Sequence, residues 1–217
     1  MKTLTSFFKQ LALASSIALS AVSLNAQAAV IDFTSSAFSA VNGLTTYLDP
    51  ISGVKLKATT TLGNSPTLTF NGGDGIGISS IGVPQLGSEI DSFENLNVLF
   101  NGPVRITNIE FLNLFGRISG RLLSTPAESI EVRVNGAGGW TSFTGTDTNS
   151  SGLGYLSSGF SALNVTSLDF RGTNGSFTSV LNDASLAKIS YVPVPASAAL
   201  LAIGAIGFVA LRRRKQI

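Results

Sequence analysis

Asn97-Val98-Leu99-Phe100-Asn101-Gly102-Pro103-Val104-Arg105-Ile106-Thr107-Asn108-Ile109-Glu110-Phe111 is the stretch on which the fold turns. Most of it alternates apolar and polar residues, the period of a strand whose side chains point to opposite faces. Asn101-Gly102-Pro103 interrupts it with turn-forming residues, so the pattern predicts a hairpin with one strand over 97–100 and its partner over 104–111. The same alternation recurs on either side. Val54-Lys55-Leu56-Lys57-Ala58 is one strand, and Ser129-Ile130-Glu131-Val132-Arg133-Val134 is another, closed by Asn135-Gly136 before Trp140-Thr141-Ser142-Phe143. Further strands are expected over 165–170, 176–181 and 186–191, and one over 76–83 behind the Gly-rich turn at 71–77. A polar Gly/Ser/Asn-rich stretch over 145–159 is expected to be a long loop. No segment from Ala29 to Tyr191 shows a capped helical period. About ten or more short strands separated by Gly-rich turns predict an all-β domain, a two-sheet antiparallel sandwich of jelly-roll type.

Charge looks different once the ends are set aside. The 217 residues carry 14 Lys+Arg against 12 Asp+Glu, with a mean hydropathy of +0.36. Lys2, Lys9, Arg212, Arg213, Arg214 and Lys215 are all terminal, so the middle keeps 8 basic against 12 acidic residues. An acidic domain lacks the basic patch that nucleic acid requires, and no nucleic-acid partner is expected. The middle, residues 29–191, is long enough for one domain with a sizeable core. Neither Cys nor His occurs anywhere. That excludes Cys/His dyads, the Ser-His-Asp triad, histidine acid–base catalysis and ordinary zinc sites.

Each end has its own logic. Lys2 and Lys9 precede an apolar run from Leu11 to Leu24, and Ala26-Gln27-Ala28 follows as a small-x-small cleavage pattern. This is the order of a secretory signal peptide over 1–28, cleaved by signal peptidase before Ala29. At the other end, 194–211 is uncharged and long enough for a transmembrane helix. The basic end 212–215 then places the chain terminus in the cytoplasm and the β domain across the inner membrane. Val192-Pro193-Val194-Pro195, just ahead of the span, is expected to be an open backbone, because each proline lacks an N–H and biases its predecessor.

The order of these last features resembles the PEP-CTERM sorting signal of Gram-negative bacteria: Val192-Pro193-Val194-Pro195, small residues, an apolar span, then Arg212-Arg213-Arg214-Lys215. The likeness covers 192–217 only, and Val194 stands where that family usually has Glu between the prolines. The resemblance implies recognition by an exosortase, a membrane protease of transpeptidase type. It also implies a membrane-anchored precursor that becomes part of the cell surface or of an exopolysaccharide and biofilm matrix.

Candidate chemistry in the middle is sparse. Glu89 and Asp91 share a face if extended, and like charges two residues apart favour a cation between them. With Asp74 from the Gly-rich turn they make a candidate calcium site. Trp140, flanked by Gly138-Gly139, is the candidate carbohydrate-stacking aromatic, with Tyr47, Phe143 and Tyr155 as possible companions. Glu89, Asp91, Glu128, Glu131 and Asp169 are the carboxyls open to a glycosidase-like pairing, with nothing in their spacing to choose among them. The leading expectation is a non-enzymatic surface or matrix protein touching extracellular polysaccharide. The alternatives are a calcium-stabilised carbohydrate-binding or adhesion module, and a carbohydrate-active hydrolase.

Overall fold

A computed structural model describes residues 27–61, 64–81, 89–116, 127–147, 153–173 and 184–194. Among them the fold is all-β. Its strands are β1 (Ala29–Asp32), β2 (Thr46–Leu48), β3 (Lys55–Thr60), β4 (Asn64–Phe70), β5 (Ile76–Ile81), β6 (Glu94–Leu112), β7 (Ser129–Val134), β8 (Thr141–Thr144), β9 (Leu156–Ser157), β10 (Ala162–Gly172) and β11 (Ser185–Pro193). Two short 3-10 turns, Ser36–Val41 and Gly72–Asp74, are the helical elements. Every pairing between these strands is antiparallel. The residues from Ala28 to Pro193 form one compact unit.

β6 organises the whole, and it corrects the expected hairpin. Residues 97–100 and 104–111 do not pair with each other; they belong to one strand of 19 residues. A two-residue hairpin of the type favoured by Asn-Gly needs positive φ at both turn residues. Neither Asn101 nor Gly102 has it. Instead the first segment of β6 pairs with β3, from Thr60↔Glu94 to Lys55↔Leu99. The second pairs with β11, from Pro193↔Val104 to Ser185↔Leu112. β10 runs along the other edge of both segments, and its register jumps between Val165↔Val104 and Ser167↔Leu99. The jump leaves the stretch around Asn101-Gly102-Pro103 as an irregular bend, the kind of place where a strand accepts proline.

Alternation explains the burial. Leu96, Val98, Val104 and Ile106 point inward, and the phase slips by one at Thr107, so that Ile109 and Phe111 are the next inward pair. Thr107 is the extra residue of a bulge, since Tyr191 faces Ile106 while Ser190 faces Asn108. Phe111, on the second segment, packs against Phe170 of β10 and Phe143 of β8, with ring centroids 6.0 and 6.2 Å apart. Leu56, Leu68, Ile78 and Phe33 complete a continuous core in which each is fully buried.

The domain's two ends meet. β1 pairs with β11 through Ala29↔Tyr191 and Asp32↔Lys188. β11 continues past Tyr191, with Val192 opposite Arg105 and Pro193 opposite Val104. Val192 and Pro193 are therefore sheet residues rather than the open backbone expected of them. Pro193 is the last residue of the strand, where a missing N–H breaks no inner ladder. Among the described residues no helix is long and apolar enough to cross a membrane. The expected signal peptide through residue 26, with cleavage residue Ala26, the end of the strand expected over 76–83, the strand over 176–181, Pro195, the rest of the span and Arg212 to Lys215 lie outside the described residues.

Candidate functional site

β7 and β10 carry the same short pattern, acid-x-Arg: Glu131-Val132-Arg133 on one and Asp169-Phe170-Arg171 on the other. Antiparallel register sets Arg133 opposite Asp169 and Glu131 opposite Arg171. Both pairs close. Arg133 Nη2 lies 3.0 Å from Asp169 Oδ2, and Arg171 Nε lies 2.7 Å from Glu131 Oε2. Val132 and Phe170 between them are buried, so the four charged side chains share the outward face. Asn97 of β6 extends the row by donating from Nδ2 to Asp169 Oδ1 at 2.5 Å. Lys57 of β3 faces Asn97 in turn. One rung, Lys57, Asn97, Asp169 and Arg133, thus crosses four strands.

Trp140 lies against this rung. The chain reverses after β7 through Asn135 and Gly136, both at positive φ (54° and 63°). The Asn135 side chain holds the turn to β10. Its Oδ1 accepts from the backbone N–H groups of Thr166 (2.7 Å) and Ser167 (3.1 Å), and its Nδ2 donates to the Asn164 carbonyl (3.0 Å). Gly138, also at positive φ, leads the chain back toward the sheet, and Trp140 comes to rest half-buried. Its ring centroid is 4.5 Å from the Arg133 guanidinium carbon and 4.0 Å from that of Arg171. Each such contact contributes about 0.5–1 kcal/mol at a partly exposed site, and each ion pair, with side chains a third exposed or less, is of the same order. What the network supplies beyond stability is position, because an indole held by two guanidinium groups that are themselves held by carboxylates has little freedom to rotate. Lys55 and Lys57, exposed on the same face, engage no carboxylate among the described residues.

The other sequence candidates fall elsewhere. Phe143 packs in the core against Phe111 and Phe160, and Tyr47 packs edge-on to Phe38, so neither joins Trp140. Tyr155 is exposed just ahead of β9. Asp74 ends the 3-10 turn at Gly72–Asp74. Glu89 Oε1 accepts from Asn113 Nδ2 at 2.6 Å, and Asp91 Oδ1 accepts from the Phe93 N–H at 2.8 Å. Among the described residues no three His, Cys, Asp or Glu side chains gather to hold a metal ion. Of the hydrolase candidates, Glu131 and Asp169 engage arginines, and Glu128 Oε2 accepts from the Phe115 N–H at 2.6 Å. Glu94 is fully buried and accepts from Ser80 Oγ at 2.7 Å. At the bend of β6, the Tyr191 phenol is pushed above its ordinary value by burial and by the nearby Asp49 carboxylate.

Arg133, Arg171, Asn97 and Lys57 are the site residues that sequence reasoning missed. A signal existed in the matched acid-x-Arg triplets, which are mutually complementary only when antiparallel and in register.

No family model matches the sequence, and no curated protein does. Among solved structures, a family 35 carbohydrate binding module from Clostridium thermocellum is similar at 16% identity. The match covers 68% of this chain and 97% of that one, with a TM-score of 0.35.

Proposed function

We propose that this chain is an exported, non-enzymatic protein of the cell surface or extracellular matrix, and that its β domain meets extracellular polysaccharide on the Trp140 face. In this reading the domain is a two-sheet, jelly-roll-like sandwich in which β6 passes from one sheet to the other. The tail from Val192 serves as its sorting signal for an exosortase-like enzyme, after signal peptidase has acted before Ala29. The observation that carries the functional half is the indole of Trp140, held by Arg133 and Arg171 on a polar sheet face. An indole offers an apolar plane to the C–H face of a pyranose, and Lys57 and Asn97, in the row of polar side chains that the ring lies against, offer polar groups on the same face. The carboxylates nearest the ring are engaged by arginines, an arrangement suited to holding a surface rather than to splitting a glycosidic bond.

Affinity electrophoresis in gels containing neutral or acidic bacterial polysaccharides tests the binding. Retardation by at least one polymer, lost in Trp140→Ala and partly kept in Trp140→Phe, is the expected result. A Trp140→Ala protein that is folded and equally retarded overturns the site. Mass spectrometry of the protein from its native envelope tests the sorting: a start at Ala29 and an end near Pro195 is expected, and a retained Met1 or Ile217 argues against it.

A further inference from the structure

The bend of β6 is also where the chain enters and leaves the domain. Ala29 pairs with Tyr191, and Pro193 pairs with Val104 at the edge of the bend. The loop after β2 closes over the same place, since a Cβ on Gly53 would lie 3.7 Å from the Asn101 side chain. Leu163 joins them from β10, between Ala162↔Ile106 and Val165↔Val104. Four of the seven large hydrophobic residues exposed among the described ones lie at or near this end. Ile51 is 86% exposed, Leu163 67%, Leu48 62% and Val30 59%. The exposed charges closest to the bend are cationic, Lys55 opposite Leu48 and Arg105 opposite Val192, while Asp32, two residues beyond Val30, lies 3.8 Å from Lys188 Nζ. The one acid in that loop, Asp49, is buried and accepts from the N–H and hydroxyl of Ser52.

Where the chain goes from here identifies the partner. The uncharged run over 194–211 begins one residue after Pro193, and the front apolar run ends at Leu24, five residues before Ala29. Five extended residues reach about 18 Å at most. A precursor whose tail sits in a bilayer therefore keeps Pro193 at the membrane boundary, and the residues paired around it come along.

We propose that this end of the domain is a membrane-docking surface, with Ile51 and Leu163 entering the headgroup boundary of a phospholipid bilayer and Lys55 and Arg105 meeting its phosphates. The proposal rests on reading 194–211 as a membrane span. Apolar side chains ringed by cations are what an interfacial anchor presents to anionic lipid. Docking there would also carry the chain ends, and the junction to be processed, to the membrane where a membrane protease works.

The sequence has no cysteine, so a single introduced thiol labels one place. Full-length Ile51→Cys, Leu163→Cys and Gly73→Cys proteins are labelled with an environment-sensitive dye. They are then reconstituted in vesicles of phosphatidylethanolamine and phosphatidylglycerol carrying a doxyl-lipid quencher. Gly73 is exposed in open space, next to the turn that meets Leu186, about 23 Å down β11 from Pro193. The expected result is blue-shifted emission and several-fold stronger quenching at 51 and 163 than at 73, weakened by Lys55→Glu with Arg105→Glu. Vesicles that float with the protein while 51 and 163 behave like 73 overturn the docking surface and leave the span standing. Failure to float overturns both. A blue shift without lipid quenching assigns the patch to a second copy of the chain and likewise overturns the proposal.

Discussion

At the scale of single residues, the Gly-rich turn at 71–77 shows how unequal neighbouring glycines are. Gly75 sits at a φ of +107°, and a Cβ there would lie 2.3 Å from the Leu186 carbonyl oxygen. Two residues earlier, Gly73 has an ordinary φ and nothing within 4 Å. Gly75→Ala is therefore expected to cost about 2–4 kcal/mol, from backbone strain and overpacking together. Gly73→Ala should stay within about 1 kcal/mol of the parent and can be stabilising, because it restricts the unfolded chain without straining the native one. Urea midpoints of the two proteins decide it; equal stability would mean that the turn does not rest on β11. Composition marked this stretch as a turn but could not rank its glycines, since the ranking depends on a strand more than a hundred residues away. The candidate site was legible to the same partial degree. Trp140 stood out as the lone tryptophan between turn residues. Its arginines did not, because contact across strands depends on register, and slipping a register by one turns every side chain to the opposite face.

Elements were easiest to read where alternation was undisturbed. Lys55–Thr60 and Ser129–Val134 follow their apolar–polar pattern closely, whereas β11 buries three residues in a row and shifts register twice, and β1, β2 and β9, of two to four residues, are too short to carry a period. The central strand was misjudged for a specific reason. Asn-Gly-Pro is turn chemistry, and the same chemistry serves a bend. A straight strand of 19 residues would run about 63 Å, against a radius of gyration of about 15 Å for a domain of this size. β6 therefore has to bend, and it does so at its one cluster of weak strand formers. The two readings predict different chemistry at Gly102. A hairpin turn would need positive φ there, making Gly102→Ala costly by about 1 kcal/mol or more. In the bend φ is ordinary and an added Cβ meets nothing within 4 Å. Gly102→Ala is therefore expected to shift stability by less than about 0.5 kcal/mol, measurable by denaturation, and a larger loss would restore the hairpin.

At the scale of the whole molecule, the pairing of first and last strands is the feature that no local pattern encodes. β1 holds to β11 through four residue pairs, the Phe33 N–H donates to the Ala187 carbonyl at 2.8 Å, and Lys188 Nζ lies 3.8 Å from Asp32 Oδ2. Ile31 and Phe33 enter the core from this edge. Because Ala29 ends beside Tyr191, Pro193 overshoots it by only two residues, a gap that a linker of about four residues spans. Joining Pro193 to Ala29 through such a Gly/Ser linker and opening the chain between Gly72 and Gly73, both exposed, tests the arrangement directly. The change moves loop closure from one place to another, and its cost grows only with the logarithm of loop length, about 0.6 kcal/mol per doubling. The permuted domain is expected to keep native far-UV dichroism and a single cooperative transition. If the ends lay on opposite sides, the same linker would pull β1 or β11 out of the sheet, exposing Ile31, Phe33 and Ile189 and abolishing cooperativity. A cooperative transition in the permuted chain, with Gly75→Ala still lowering its midpoint, would tie the closing strands, the turn and the core into one folding unit.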